Sequence, residues 1–397
     1  MAKKKQTKLR LARDIPIQEL KSRKKGRKKK KFWVIAQIFV LVFLILLGNY
    51  ILMTNRYLSY ARVSSIYPHR TTESNRYEPF ANGIVRFNRD GVMLLNNRNQ
   101  EMWVHAGQFA NPVFAKNGRS FLIADKGGNS IKVFSRNGVQ GEFETFLPIE
   151  RITISNQGIV SAILRNDSGP LIITYDMAGA ILVEKKVPFA TMGYPTALEL
   201  SDDGTILAVA YLSVDGGSLT TRVVHYNFTN PEEATDDHIV NMDIFDDTIV
   251  ADIISMNGNR FGVITDKSFV IYQGSVVPTI SHEIPFGREI RSVFYSRRHL
   301  GYIASNLDGP GYEVRLFDLN GQEVVNLDFV GEYSNVRMIG NDLIMFEGMD
   351  VFIISQWGIV RFQGSLEINP MMIKPAFGAN RYHVMTANEM LTISLVR

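Results

Sequence analysis

The densest group of residues able to bind a cation is the acidic segment 232–247, EEATDDHIVNMDIFDD. Its seven carboxylates are Glu232, Glu233, Asp236, Asp237, Asp243, Asp246 and Asp247. Such a cluster suits Ca²⁺, which takes about six to eight oxygen ligands. The Asp-x-Asp-x-Asp-Gly order of a known calcium loop is missing, so we interpret the segment as a solvated insertion. A cation site and a docking surface for a basic partner are the alternatives.

Histidine offers no metal motif either. The chain has seven histidines, none paired with another at metal-binding spacing: His69, His105, His225, His238, His282, His299 and His383. There is no HExxH, P-loop, Gly-x-Gly-x-x-Gly or Gly-x-Ser-x-Gly sequence. The absence of cysteine excludes disulfides, a thiolate nucleophile and Cys-based metal sites. The sequence therefore assigns no catalytic, cofactor-binding or metal-binding residue, and a site assembled from distant segments stays open.

Two Asp-Gly sequences resemble ligand loops. Asp202-Asp203-Gly204 and Asp215-Gly216-Gly217 contain the carboxylates and glycines that metal or phosphate loops use. Both fall between β-rich runs, where a hairpin turn needs the same residues for its backbone geometry. We therefore predict hairpin turns at both places.

Charge separates a basic tail from an acidic body. The 397 residues carry a formal net charge of +5. Residues 1–31 contain fifteen Lys and Arg against Asp14 and Glu19, a net charge of +13, whereas the remainder has a net charge of −8. Nucleic-acid binding needs a basic face on the folded domain, so the body is not of that class.

A membrane span is predicted between Phe32 and Met53. This run of 22 residues carries no charge, and as a helix it would be about 33 Å long, enough for a hydrocarbon core of about 30 Å. Trp33 and Tyr50 lie near its ends, where such side chains prefer the membrane interface. The run exceeds the apolar core of a cleaved signal peptide, so we predict a retained anchor.

The flanking charges predict the orientation of this span. Nine basic residues occupy positions 21–31 directly before it, and such clusters stay on the cytoplasmic side. The last four, Lys28, Lys29, Lys30 and Lys31, are the predicted contacts for anionic lipid headgroups. We therefore expect a cell-membrane protein with its N-terminus in the cytoplasm and its C-terminal domain outside.

After the span the pattern changes twice. Residues 54–80 read as a polar extracytoplasmic connector, in which 57–67 could continue the helix for a few turns. From residue 81 to 397, short β-rich runs alternate with Gly, Asn and Asp turns. Similar strands follow Gly118, Gly158, Gly204, Gly258, Gly340 and Gly378, and RRHLGYIAS repeats the pattern with Arg297 at the glycine position.

This spacing predicts an all-β fold, a β-propeller of four-stranded blades. The units recur every 38 to 54 residues, and a period near 40–45 with four strands per unit is typical of propeller blades. Six units are complete, the stretch 83–105 supplies the last three strands of a blade, and 371–395 supplies the first three of another. Eight blades are favoured, and seven is the alternative if the two ends share one blade.

One stretch carries a family resemblance. DGVMLLNNRNQEMWVHAG, residues 90–107, resembles a blade of quinoprotein-like or WD-repeat-like propellers, with Gly91 in a turn and Trp103 at the blade end. The other units lack an equivalent Trp, and Arg98-Asn99 replaces the usual Thr-Gly turn. The whole chain is similar to an uncharacterised family of single-pass, membrane-anchored propeller proteins from clostridia-like Gram-positive bacteria. That resemblance implies no activity and no cofactor.

Three functions are compatible with these features. The first is a non-enzymatic platform in the cell envelope that binds a protein or a wall polymer, and this hypothesis fits the missing motifs best. The second is an enzyme with a site in the central channel, a quinone- or metal-dependent oxidoreductase or a glycan hydrolase. It requires polar side chains from at least three blades to meet in one pocket. The third, transmembrane signalling, has only about 31 cytoplasmic residues for its output.

Overall fold

The computed structural model describes residues 33–49, 56–68, 75–229, 238–307 and 309–397. It divides into two compact units, Met1–Arg56 and Tyr57–Arg397. The first contains helix α1, residues 33–49. No helix among the described residues combines the length and the apolar character needed to cross a membrane.

Several predicted features of the N-terminal unit lie outside the described residues. The basic tail with Lys28–Lys31 and both span ends, Phe32 and Met53, belong to this group. The uncharged run therefore extends beyond α1 in both directions, and the membrane span stays a prediction.

The second unit consists of eight four-stranded sheets. The strands of the first four sheets, grouped by blade, are β2 (Arg76–Phe80), β3 (Gly83–Asn88), β4 (Gly91–Leu95) and β5 (Glu101–Ala106); β6 (Pro112–Asn117), β7 (Ser120–Asp125), β8 (Ser130–Ser135) and β9 (Gly138–Glu144); β10 (Ile149–Ile154), β11 (Val160–Leu164), β12 (Leu171–Tyr175) and β13 (Ile181–Lys186); β14 (Tyr194–Leu200), β15 (Ile206–Asp215), β16 (Ser218–Asn227) and β17 (Ile239–Asp246). A one-turn helix, α2 (Phe189–Met192), joins the third and fourth blades.

The remaining four sheets complete the unit. Their strands are β18 (Val250–Met256), β19 (Arg260–Thr265), β20 (Ser268–Gln273) and β21 (Thr279–Pro285); β22 (Ile290–Tyr295), β23 (His299–Ser305), β24 (Tyr312–Asp318) and β25 (Glu323–Phe329); β26 (Asn335–Ile339), β27 (Asp342–Glu347), β28 (Asp350–Ser355) and β29 (Val360–Ser365); β30 (Met372–Pro375), β31 (Arg381–Met385), β32 (Glu389–Val396) and β1 (Tyr60–Pro68). We number these blades 1 to 8 and letter their strands A to D from the axis outward.

Local sequence explains the shape of each blade. The second and third strands are short apolar runs, such as the fully buried β11, because neighbouring blades cover both of their faces. The outer strand β13 is exposed at every second residue, as expected for a sheet edge with one solvated face. Turn glycines with positive φ, Gly118 at 53° and Gly158 at 88°, supply the backbone geometry of the hairpins between A and B strands.

The predicted connector is wrong from residue 57 onward. Residues 60–68 form β1 rather than a helical extension, and β1 pairs antiparallel with β32 as the outer strand of blade 8. Residues 76–80 form β2, the innermost strand of blade 1. The propeller therefore begins at Tyr57 rather than at residue 81. The physical reason is ring closure, because β1 covers the edge of β32 that would otherwise carry unpaired backbone groups.

The prediction of eight blades is confirmed over seven. The two partial units are separate blades, and the strands that each lacked are β2 and β1. A buried apolar cluster fills each of the eight interfaces between neighbouring blades. The ring closes where Met372 and Met385 of blade 8 pack with Tyr77 and Ile84 of blade 1.

The ring has two different faces. The turns between A and B strands and between C and D strands form one face, which we call the proximal face because the chain joins the propeller there at Tyr57. The turns between B and C strands and the connections between blades form the opposite, distal face. The A strands line the central channel between the two faces.

Candidate functional site in the central channel

The proximal end of the channel is crossed by one side chain. Arg297 lies in the A–B turn of blade 6 and reaches three other blades. Its Nε donates to Asn257 Oδ1 of blade 5 at 2.9 Å, and its Nη1 donates to Asn117 Oδ1 of blade 2 at 2.5 Å. Its Nη2 forms an ion pair with Asp202 of blade 4. Blades 2 and 6 are opposite each other in the ring, so this guanidinium group spans the axis.

The guanidinium group of Arg297 is suited to joining several blades. An arginine presents five N–H donors in a planar group, enough for three partners at once. Asn117 is only 4% exposed, and among the described residues its Nδ2 has no hydrogen-bond partner, so its oxygen is the atom that Arg297 uses. The backbone carbonyl of Arg297 also accepts a hydrogen bond from the backbone N of Asn257 at 2.8 Å. Together these bonds fix four blades to one another at the proximal end.

A second charged group joins blades 1, 2 and 7. Arg337 Nη1 donates to Glu78 Oε1 at 2.8 Å, and Lys116 Nζ lies 3.8 Å from Glu78 Oε2. Lys116 Nζ also donates to the carbonyl of Pro79 at 2.8 Å. Burial lowers the pKa of Lys116, and the nearby charge of Arg337 adds to this effect against the opposing influence of Glu78.

A carboxyl pair lies on the A strands of blades 4 and 5. Thr153 Oγ1 of blade 3 donates to Glu199 Oε2 at 2.6 Å, and Ser255 N donates to Glu199 Oε1 at 3.2 Å. Burial raises the pKa of Glu199 to about 8, with the nearby charges of Asp252 and Asp202 contributing. Burial also raises the pKa of Asp252, against the opposing effect of Arg151. Glu199 therefore holds its proton at neutral pH.

Tyr295 lies close enough to these charged groups to interact with them electrostatically. Its side chain is 43% exposed at the channel. Burial raises the pKa of its hydroxyl, and the charges of Asp252, Glu199 and Glu78 raise it further, which places all four residues in one electrostatic neighbourhood. Polar side chains from blades 1 to 7 thus make up these channel groups. The cavity beside Asp202 is lined by residues of blades 4 and 5, and a pocket shared by three blades stays a prediction.

Sequence reasoning identified the position of Arg297 but not its role. The pattern marked Arg297 as the residue that replaces a turn glycine, while its partner Asn117 lies 180 residues earlier. Of the two Asp-Gly sequences, Asp203 behaves as predicted, because its Oδ1 accepts from Thr205 N at 3.1 Å within the turn. Asp202 does more than the prediction assigned to it, since it pairs with Arg297. Gly216 and Gly217 form the predicted turn after β15.

The described histidines are spread over five blades, and His225 and His238 share blade 4. His225 is fully buried, its ring centroid lies 4.5 Å from that of Tyr272, and burial lowers its pKa to about 3. His383 is also buried, and burial lowers its pKa to about 4. His105, on the outer strand β5 of blade 1, lies near Lys132 and Glu142 of blade 2. His69 lies outside the described residues.

The acidic segment is only partly described. Residues 232–237 lie outside the described part, and residues 239–246 form β17. Asp243 accepts from Asn241 Nδ2 at 2.7 Å, and Asp247 forms an ion pair with Lys267 at 3.1 Å. Within the described residues no group of three or more His, Asp or Glu side chains is arranged to hold a metal ion. Neither alternative interpretation of the segment gains support.

The fold defines the class of the protein as an eight-bladed β-propeller, and the comparisons then give its family. Residues 53–395 match a family of unknown function (DUF5711). Because this match covers most of the chain, the protein belongs to that family. No curated protein has a sequence that matches this chain.

Two solved structures are among those similar to this chain. BamB from Moraxella catarrhalis has 13% sequence identity and a TM-score of 0.48, and the similarity covers 84% of this chain and 99% of BamB. The Neurospora crassa Pan2 WD40 domain has 11% identity and a TM-score of 0.43, with 72% and 89% covered. The blade assignment itself rests on the strand pairings.

Trp103, on which the predicted resemblance depended, packs at an interface between blades. Its ring stacks on Phe134 of blade 2 with centroids 5.4 Å apart, and its Nε1 donates to the carbonyl of Arg136 at 3.0 Å. The predicted blade-end tryptophan therefore attaches blade 1 to blade 2.

Proposed function

We propose that this protein is a membrane-anchored, single-pass protein whose propeller lies outside the cytoplasm and serves as a non-enzymatic interaction platform. In this proposal the basic tail stays in the cytoplasm, Lys28–Lys31 contact anionic lipids, and Phe32–Met53 crosses the membrane. A protein partner of the envelope binds the distal face, and a wall polymer is the alternative ligand.

The anchor is supported by the residues around α1. The helix is uncharged and its apolar side chains are exposed, as for Phe39 at 78%. The uncharged run continues to Phe32 on one side and to Met53 on the other, and it follows nine basic residues. A helix with exposed apolar side chains gains stability in lipid, and the basic flank favours the cytoplasmic side.

One observation supports the proposed platform, namely the exposed apolar side chains of the distal face. They come from turns and connections of blades 2 to 8: Phe146, Phe189, Val214, Ile249, Leu307, Val330, Met349 and Met371. Single exposed apolar residues are ordinary, but a recurrence around one face favours a protein interaction surface. The charged groups at the proximal end of the channel pair with one another, so they are engaged in joining blades.

The channel is the second candidate because of the carboxyl pair. A glycan hydrolase needs one carboxyl group that keeps its proton beside another that can ionise. Burial raises the pKa of both Glu199 and Asp252, and the rise at Asp252 alone is opposed by a nearby arginine, Arg151. To distinguish the two candidates, the parent protein and a Glu199→Gln, Asp252→Asn variant are each incubated with soluble glycans. Glycan hydrolysis that is present in the parent protein and lost in the variant indicates a channel enzyme, whereas a platform shows no such difference.

The location of the propeller can be tested directly because the chain has no cysteine. A Val330→Cys variant carries one thiol on the distal face, and a Thr7→Cys variant carries one in the basic tail. We expect a membrane-impermeant maleimide to modify Val330→Cys in intact cells and Thr7→Cys only after the cells are permeabilised. The reverse pattern would reject the proposed orientation, and modification of both only after lysis would reject an extracytoplasmic propeller.

A further inference from the structure

We propose that the proximal face of blades 7, 8, 1 and 2 is a second membrane-binding surface, which lies on anionic phospholipid headgroups. This inference rests on the proposed anchor and adds a defined lipid contact on the propeller itself. We call this surface the basic rim. Its aromatic side chains, its charges and its cavity each favour a lipid occupant.

Two exposed aromatic side chains mark the basic rim. Trp357, in the C–D turn of blade 7, is 59% exposed, and Phe377, in the A–B turn of blade 8, is 92% exposed. Burial in a core gives aromatic side chains much of their stabilising effect, so an almost fully exposed Phe lacks that benefit in the isolated propeller. Tryptophan is enriched at the interface between lipid and water, where its ring is partly apolar and partly hydrogen-bonded.

The charges of the basic rim complement an anionic surface. Its exposed arginines are Arg98, Arg119, Arg136, Arg381 and Arg397. The proximal turns of these four blades contain no acidic residue, whereas those of blades 3 and 4 contain Asp176, Asp202 and Asp203. Basic residues near an anionic membrane surface are attracted to it electrostatically. The propeller therefore has a defined side that an anionic membrane would attract.

A cavity lies within the basic rim. Its volume is about 380 Å³. It is lined by the proximal part of blade 1, which includes Arg98, and by Arg136 of blade 2. Its apolar lining residues include Phe80, Leu94 and Met102. Two guanidinium groups suit a phosphate, which they bind through paired N–H donors. Two arginines and several apolar side chains in one cavity match the chemistry of a phospholipid headgroup with the start of its acyl chains.

The chain itself brings this surface to the membrane. Only three residues separate Met53, the predicted end of the span, from Tyr57. Even a fully extended chain covers about 14 Å over that interval. Leu58 N donates to the carbonyl of Arg361 in blade 7 at 2.8 Å, and β1 then forms the outer strand of blade 8. The tether therefore joins the propeller next to Trp357 and Phe377, and an anchored propeller has its basic rim within reach of lipid.

The test uses the full chain reconstituted in vesicles, with a fluorophore on a single cysteine. Phe377→Cys reports on the basic rim and Val330→Cys on the distal face. In vesicles containing phosphatidylglycerol and a headgroup-labelled quencher lipid, we expect quenching at position 377 to exceed that at position 330 at least threefold. In pure phosphatidylcholine, or at high salt, we expect the difference to shrink, because charge attraction is screened or missing.

A charge variant assigns the effect to the two arginines. Arg98→Glu with Arg136→Glu should lower the quenching at position 377 at least twofold in anionic vesicles. The matched control, Arg165→Glu with Arg291→Glu, changes two exposed arginines of the distal side and should leave it unchanged. Circular dichroism shows whether each variant is folded, and Arg98→Gln with Arg136→Gln replaces the first pair if it is not.

Flotation of the same vesicles separates failure of this inference from failure of the anchor. A chain that does not float with the vesicles contradicts the anchor and the basic rim together. A chain that floats with equal quenching at positions 377 and 330 contradicts the basic rim alone. Crosslinking of position 377 to a protein in native membranes, without contact to lipid in vesicles, would also overturn the lipid assignment.

Discussion

Replacing Glu199 with glutamine is expected to stabilise the propeller by about 2 kcal/mol at pH 7 and to have little effect at pH 4. Burial raises the pKa of Glu199 to about 8 from an ordinary value of 4.5. Between these values the unfolded chain loses the proton that the folded chain keeps, so the stability of the parent protein falls as pH rises. Full burial would make the effect about 3 kcal/mol at pH 7, and contact with the channel lumen reduces it.

Glutamine preserves the local hydrogen bonds. Its oxygen can accept from Ser255 N and its amide can donate to Thr153 Oγ1, so it differs from the protonated Glu199 mainly because it cannot ionise when the chain unfolds. The measurement is urea denaturation of the chain from Tyr57 onward, which contains every strand of the ring, at several pH values. Glu144→Gln, at an exposed position on β9, is the matched control and should show no pH-dependent gain. A destabilised Glu199→Gln protein at pH 7 would contradict the assigned protonation.

Replacing Arg297 with alanine is expected to destabilise the propeller by about 3 kcal/mol. The substitution removes one ion pair and two hydrogen bonds that join four blades. Hydrogen bonds to charged groups contribute about 1.5–3 kcal/mol each, and the partial exposure of the guanidinium group lowers the sum. For a unit of this length that loss corresponds to a melting temperature about 4 °C lower.

The neighbouring arginine provides the control for this prediction. Arg298 is exposed, and among the described residues its guanidinium group donates one hydrogen bond, to Asn341 Oδ1 at 3.1 Å. Arg298→Ala should therefore change stability by less than about 0.5 kcal/mol. Arg297→Lys should recover only part of the loss, because an ammonium group cannot serve three separated partners in one plane. If Arg297→Ala and Arg298→Ala lowered the free energy of unfolding equally, Arg297 would not be a stabilising link between the blades around the channel.

The sequence predicted the repeated part of this fold because its signals are local. Each hairpin has its own turn residues, as at Gly118 and Gly158, and the apolar runs that follow need both faces covered. The outer strand β1 gave no comparable signal. Its side chains are mostly exposed, and its partner β32 lies about 330 residues away in the chain, so neither periodicity nor a turn announces it.

The channel groups were hidden for the same reason. Glu199, Asp252 and Tyr295 lie on A strands whose sequences look like ordinary strands, and only ring closure brings them together. Arg297 was visible as an exception to the turn pattern, which is the one local signal that the site offered. A polar residue in place of a turn glycine is therefore worth examining in other repeats.

The central claim, a platform with a partner on the distal face, is tested most directly by site-specific photo-crosslinking in native membranes. The full-length protein carries a photoreactive residue at Met371, and the control carries it at Ile181 on the outer strand β13. We predict a reproducible set of extracytoplasmic proteins captured from position 371 only, with a yield at least fivefold lower when Val330 becomes Asp and unchanged when Ile280, exposed on the outer strand β21, becomes Asp. Background capture from both positions would contradict the platform and favour the channel-centred alternative.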